Sequence, residues 1–262
     1  MGIILIPDDI SEIDVRYDFT EDTSPTYWLG FWDRNEGLGA GDADPDAKSP
    51  TARRYHQLLW SRQLPNGEVM QLEDGRSRYY LKWNDIWFSS DSITTSFRNG
   101  RNKEFIQKLR NEIPDYEGYV MDYLQRLYTI GGLMLLPSFR WCLNQARGCH
   151  PRIADRWDLT LECIRRYYSG ESSPLDKTMH HPTNVKFFNL FVDFRGFIDF
   201  FFLQDCVTSD YQKVVLWYDT PFFESNPIPR TIDSYRSFID KELEFVDRRN
   251  NRIDSFIKQC RP

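Results

Sequence analysis

The sequence predicts an α+β fold: a mainly helical single domain with a small antiparallel sheet packed against long helices. Three observations carry this. Turn-forming residues separate short β-like runs between Leu64 and Ser90. Apolar residues recur with a helical period through most of the chain after Lys103. No repeat and no low-complexity linker divides the 262 residues. One domain over 1–262 is therefore expected, with an irregular arm (1–48), a helix plus meander (49–100) and a helix-rich remainder (101–262).

The arm holds the aromatic run Tyr27-Trp28-Leu29-Gly30-Phe31-Trp32, then a loop rich in Gly and Asp. Asp42-Ala43-Asp44-Pro45-Asp46 has the look of a calcium loop. It lacks the glycine at the sixth position and the glutamate at the twelfth, so it reads as a plain acidic loop. Ser49-Pro50 starts a helix, with serine as cap and proline in the first turn, running to about Arg62. Leu64-Pro65-Asn66-Gly67 turns the chain. Glu68 to Leu72, Arg78 to Trp83 and Ile86 to Ser90 read as three strands joined at Asp74-Gly75 and Asn84-Asp85.

A helix from Lys103 breaks at Pro114, and Asp115 can cap the next one through Tyr128. Gly131 to Pro137 is a short apolar strand. No Lys-Ser or Lys-Thr follows its twin glycines, so it is no phosphate loop. Residues 151 to 168 form the best-defined helix, with Ile153, Trp157, Leu161, Ile164 and Tyr168 on one face and Pro151 in the first turn. Residues 184 to 206 read as one aromatic helix, ringed by phenylalanines and so buried on several sides. Lys213 to Tyr218 is a short strand, and Thr231 caps a final helix reaching about Phe256.

Composition bounds the function. With 33 basic and 39 acidic residues the net charge is −6, which argues against nucleic acid or an anionic membrane as the main partner. Met1-Gly2-Ile3-Ile4-Leu5-Ile6-Pro7 lacks the basic start and long apolar core of a signal peptide. The most apolar stretch, Phe187 to Leu203, carries Asp193, Arg195 and Asp199 and does not read as a membrane span. Five cysteines at wide spacing fit free thiols in a reducing cytoplasm. Aromatic residues make up 16% of the chain, which implies a bulky core or a ring-lined pocket.

The chemistry-bearing segment is Asn144-Gln145-Ala146-Arg147-Gly148-Cys149-His150-Pro151, read as a loop leaving a strand and entering a helix. Such loops aim backbone N–H groups at an anion. Arg147 would bind phosphate or carboxylate, and His150, with its ordinary pKa nearest 7, would move protons. Asp155 would join them, with Glu162 as a reserve base or orienter. Glu162 also sits four residues before Arg166, the spacing of a plain ion pair. Arg195 and Asp199, four apart among phenylalanines, would either satisfy each other or meet a ligand in a mixed cavity. Ser89-Ser90-Asp91-Ser92, with Arg98 and Arg101 behind it, offers hydroxyls that suit phosphate contact or simple turn bonds. Neither zinc spacing nor a named cofactor motif is present.

Several runs carry a resemblance. Ser49-Pro50-Thr51, Tyr55-His56-Gln57-Leu58-Leu59-Trp60, Asn144-Gln145-Ala146-Arg147-Gly148, Asp155 through Tyr168, and Phe200-Phe201-Phe202-Leu203-Gln204-Asp205 resemble an uncharacterised family of bacterial and phage-associated proteins. The resemblance covers roughly residues 15 to 255. It implies a shared domain and assigns no activity, cofactor or catalytic residue.

Three functional readings follow. The first is a cytoplasmic enzyme or binding protein for a small phosphorylated or nucleotide-like ligand, held by Arg147, His150, Asp155, Arg195 and Asp199. The second is a non-catalytic interaction module in a bacterial or phage system, with its Arg–Asp pairs structural. The third is a metal-dependent nucleic-acid enzyme with Asp158 and Glu162 as ligands.

Overall fold

The computed structural model of the chain describes residues 8–23, 44–75, 80–95, 97 and 102–260. The aromatic run Tyr27–Trp32, Asp42, Arg98 and Arg101 lie outside them. Among these residues, ten α-helices surround one four-stranded antiparallel sheet in the order β1-β2-β3-β4. The α+β expectation therefore holds.

Among the described residues, two α-helices precede the sheet, α1 (Pro45–Lys48) and α2 (Pro50–Trp60). The Ser49 side chain accepts from the Ala52 N–H and caps α2 as its sequence implies. The strands are β1 (Glu73–Asp74), β2 (Leu81–Trp83), β3 (Ile86–Ser92) and β4 (Leu133–Pro137). Asn84 and Asp85 form the two-residue connection of β2 to β3, with Trp83 opposite Ile86 and Asn84 at φ +52. The first expected strand, 68–72, is absent: only an isolated bridge joins Gln63 to Val69. β2 pairs with β3 only as far as Phe88, whereas β4 runs beside β3 from Phe88 to Ser92. Along residues 89–92 the other edge of β3 is met by α1, where Asp46 Oδ2 accepts from the Ser92 N–H at 3.0 Å.

Next come α3 (Lys103–Glu112) and α4 (Tyr116–Leu127), divided at Pro114 as expected, with Asp115 accepting from the Gly118 N–H. After β4 the chain forms α5 (Leu143–Cys149), α6 (Trp157–Ser169), α7 (Asp176–Met179), α8 (Pro182–Asn189), α9 (Phe194–Phe200) and α10 (Ile232–Cys260).

Four expectations are corrected here. Residues 143–149, read as a loop, are helical, and α6 begins at Trp157 rather than Pro151. Ala154 and Asp155 have φ +52 and +64, so no right-handed helix can pass through them. The aromatic helix expected over 184–206 is two helices, broken where Val192 adopts φ +69. Its hydrophobicity all round was the signature of burial, but length and continuity are separate properties. Finally, 213–218 contributes only an isolated Val207–Val214 bridge.

A hydrophobic cluster runs from Ile10 through Ile257. The rings of Phe187, Phe191, Phe197 and Phe201 pack with centroids 5.1–6.4 Å apart. The N-terminal segment belongs to this core: Phe19 is fully buried and its N–H donates to Tyr128 O at 2.9 Å. Among the described residues, no helix is long and apolar enough to cross a membrane.

Arg249 of α10 crosses the interior. Its guanidinium donates to Phe201 O at 3.0 Å, Gly131 O at 2.8 Å and Leu133 O at 2.7 Å. Burial pushes its pKa down to about 9. Arg249→Met keeps the bulk of the stem and leaves these acceptors unpaired. It should destabilise the protein by about 3 kcal/mol in urea unfolding, since each buried group left unmatched costs roughly 1–3 kcal/mol. Unchanged stability would refute this role.

Candidate functional site

α5 lies against β3, which it meets through Arg147 and Asn144. The Arg147 side chain is 2% exposed. Nε lies 3.4 Å from Asp91 Oδ2, and Nη2 lies 3.2 Å from Asp155 Oδ1. Nη2 also donates to the Ser92 carbonyl. The guanidinium carbon sits 5.9 Å from the Trp157 ring centroid. Nη1 has no hydrogen-bond partner among the described residues.

The carboxylates are more accessible than the cation they flank. The Asp91 and Asp155 side chains are 27% and 33% exposed. Asp155 reaches Arg147 from a left-handed backbone position, which costs on the order of 1 kcal/mol for a non-glycine residue. The bend is held at both ends, because the Asp155 N–H donates to Arg147 O at 3.1 Å.

The electrostatics follow from burial. Desolvation pushes the Asp91 carboxyl up to about 7, against the pull of Arg147, and Asp155 and Asp44 push it further. Desolvation and the neighbouring Asp44 and Asp91 hold Asp46 well above the carboxylate range. Asp155 is also raised by burial, with Arg147 opposing. Burial alone would lower Arg147, but Asp155 and Asp91 overcome that and hold it raised. Among the described residues, Arg147 faces more carboxyls than it can neutralise, one of them titrating near neutrality.

Arg147 and Asp155, both expected in a site, thus meet directly. His150 follows α5 and is half-buried. Its Nδ1 accepts from the Arg152 N–H at 3.2 Å. Glu162 is buried on α6 and engaged from two sides. Arg165 donates to it at 2.8 and 2.9 Å, and Arg166 at 2.8 Å. Arg195 and Asp199 lie on α9, with side chains 69% and 43% exposed and 3.5 Å apart. The expectation that they are buried among phenylalanines is corrected: the rings face inward and this pair faces out. Arg195 lies over Tyr211, whose hydroxyl donates to Asp199 at 2.7 Å. The pair shares no partner with Arg147.

The open helix N-terminus expected to attract an anion is filled from within. Asp158 accepts from the Leu159 N–H at 2.9 Å, the Trp217 N–H at 2.8 Å and Arg156 Nε at 3.0 Å. Asp158 and Arg156 are both fully buried. Asp158 and Glu162 therefore serve as counterions to arginines rather than as an open pair of metal ligands. No group of three or more metal-ligating side chains occurs among the described residues.

Asp91 and Asp46 are the members that sequence reasoning missed. Asp91 stood in a run of hydroxyls and Asp46 in an acidic loop. Their shared neighbour becomes visible only when α1, β3 and α5 are brought together.

On the opposite face of β3, His56 sits between Trp60 and Ser90. The indole Nε1–H of Trp60 donates to Nδ1 at 2.9 Å, and Nε2 lies 2.8 Å from Ser90 Oγ. An indole nitrogen is donor only, so the neutral ring carries its proton on Nε2 and donates to Ser90. The pair has the spacing of a nucleophile and its base but the wrong tautomer. Burial, then Arg249, lower the His56 pKa to about 3.

The chain matches the model of a family of unknown function, DUF6994, over residues 13–253, and belongs to that family. No curated protein and no solved structure matches it.

Opposite pH slopes are expected from the two faces of β3. The folded state keeps His56 neutral, so its contribution is full above pH 6.5 and is lost as pH falls toward 3. Folded Asp91 retains a proton that the unfolded chain releases, so its contribution declines as pH rises from 3.8 to about 7. Asp91→Asn should remove that decline in unfolding experiments run from pH 4 to 8. A decline of unaltered size in the variant would show that Asp91 is not its source.

Proposed function

We propose that this family member is a cytoplasmic enzyme or binding protein that takes a small polar ligand at the Arg147 cluster. Asp91 and Asp155 would bind the ligand and exchange protons with it. One observation carries the reading: two partly exposed carboxyls converge on a buried guanidinium that orients both. Strongly perturbed carboxyls gathered around a specific charge partner favour a functional site. A pKa near the working pH suits proton transfer in either direction.

The ligand class follows from charge. A phosphate on Arg147 would compete with counter-charges the chain already supplies. Hydroxyl or amine donors meet the exposed carboxyl oxygens without that conflict. The nucleotide-like class is therefore retained for its sugar hydroxyls rather than for its phosphate. His150 lies one turn beyond Arg147 and would act at the rim.

The test is a thermal-shift screen of wild type, Asp91→Asn and Asp155→Asn against polyols, small amines, sugar phosphates, nucleosides and nucleotides. A ligand at 100 times its Kd should add about 2.7 kcal/mol of stability to wild type. That gain should vanish in both variants, and its size in wild type should change with an inflection near pH 7. A hit that persists in Asp91→Asn would overturn the assignment. No hit at millimolar concentration would favour the interaction-module reading.

A further inference from the structure

A groove of about 490 Å³ opens between α6 and the segment 212–222. Glu162, Arg165 and Arg166 form the α6 wall, at the three- and four-residue spacings that share a helix face. The facing wall supplies Lys213, Asp219 and an apolar strip of Val214, Leu216 and Phe222. That wall is anchored to the body. The Lys213 N–H donates to Thr208 Oγ1 at 3.1 Å, and its carbonyl accepts from the Thr208 N–H at 2.9 Å. Val214 bridges to Val207, and the Trp217 N–H donates to Asp158. Phe223 takes φ +62, which is uncommon for a bulky residue and persists only where the surroundings hold it. In that conformation Phe223 and Phe222 meet Arg166, whose guanidinium carbon lies 4.8 and 5.7 Å from their ring centroids.

Arg166 is presented to the groove with one edge left over. Its Nε donates to Glu162 at 2.8 Å and its Nη1 to the Ser172 carbonyl at 3.1 Å. Glu162 is buried and gripped by Arg165 as well, so it fixes the Arg166 guanidinium firmly. Among the described residues Nη2 of Arg166 makes no hydrogen bond, and the side chain is 24% exposed, so a ligand can reach it. A guanidinium oriented on two sides and open on the third is a ready partner for a carboxylate. Lys213 and Asp219 are exposed on the facing wall. Among the described residues neither side chain makes a hydrogen bond or an ion pair. Thr208 and the Gln212 N–H hold the Asp210 carboxyl low, and Lys213 adds to this through space. A cation and an anion thus line one groove without joining each other, and Phe222, 44% exposed, sets an apolar ring beside them.

We propose that this groove binds a small zwitterion: a carboxylate and an ammonium on one apolar frame, the chemistry of a free apolar amino acid or a short peptide. The carboxylate accepts from Arg166 Nη2 and Lys213 Nζ. The ammonium donates to Asp219, because Glu162 is already taken by two arginines. The hydrocarbon part covers Val214, Leu216 and Phe222. Each wall then rejects a simpler competitor. A plain carboxylic acid leaves Asp219 unmatched and meets its repulsion. A plain amine meets Arg166 and Lys213. Inorganic phosphate brings nothing to the apolar strip. No residue of the Arg147 cluster lines this groove, so the two readings stand or fall separately.

The experiment is ligand-observed saturation-transfer NMR on the full chain with L-leucine, L-phenylalanine and leucyl-leucine. Isocaproate, which is leucine without its ammonium, and isoamylamine, which is leucine without its carboxylate, serve as controls. Titrations follow with wild type, Lys213→Met, Asp219→Asn and Phe222→Ala, all three at exposed positions where the fold tolerates change. At least one zwitterion should bind wild type. It should bind about tenfold or more tighter than either control, the worth of one hydrogen bond to a charged group. Asp219→Asn should erase the preference over isocaproate. Lys213→Met should weaken every ligand that carries a carboxylate, and Phe222→Ala should weaken them all. Tighter binding of leucyl-leucine than of leucine supports the site with a peptide as its source, and the reverse order supports it with a free amino acid. Isocaproate binding as tightly as leucine, unchanged in Asp219→Asn, would overturn the zwitterion. Zwitterion binding that ignores both Lys213→Met and Asp219→Asn, or no binding of any of these ligands at millimolar concentration, would overturn the site.

Discussion

Arg249 holds the molecule together from its centre. A guanidinium stripped of water is costly, and among the described residues no carboxylate meets this one. It is satisfied by backbone carbonyls instead: two from the approach to β4 and one from the end of α9. A carbonyl cannot be moved without moving its chain, so the long C-terminal helix, the inner strand and the phenylalanine layer are fixed to one another. Asn250, the next residue, repeats the tactic. It accepts from the Gly131 N–H at 2.7 Å and donates to Thr129 at 2.8 Å. Arg62 donates to the Phe200 carbonyl and lies over the Phe200, Phe202 and Phe256 rings at 4.5–4.7 Å. Rings supply part of what carboxylates would otherwise provide.

Seen beside these, the Arg147 cluster is built differently. Arg156 and Asp158 are a closed pair, and Glu162 is closed by two arginines. Arg249 and Arg62 are closed by carbonyls and rings. Among the described residues, only at Arg147 does a sealed cation carry partly exposed carboxyls that outnumber it. The buried Arg156–Asp158 pair ends in balance. The Arg147 cluster ends in an excess of proton-binding groups at an accessible surface, and that contrast within one chain is what separates a candidate site from scaffolding.

Much of the architecture was legible in the sequence. Capping serine, breaking proline and the Asn84-Asp85 turn act locally, and each appears where local chemistry puts it. Arg147 and Asp155 were legible too, as charges beside a helix with one clear apolar face. What escaped was non-local or depended on backbone sign. Asp91 and Asp46 come to Arg147 from 56 and 101 residues away, and nothing in either neighbourhood announces it. The helix expected to begin at Pro151 is displaced because Ala154 and Asp155 turn left-handed. The ion pair with Arg147 favours that choice, and propensity argues against it. Arg195 and Asp199 misled because a helix rich in phenylalanine still has an outer side.

The free edge of β3 has a consequence for how the chain meets other chains. Among the described residues, the strand beyond Phe88 has β4 on one side only. An exposed ladder of N–H and C=O groups there would recruit a strand from another molecule. α1 lies against that edge, and the Asp46 carboxyl takes the Ser92 N–H. An incoming strand would have to expel a proline-started helical turn and leave the Asp46 carboxyl without its donor. The short acidic turn thus works as a stopper against edge-to-edge aggregation, and the small sheet can remain four strands wide.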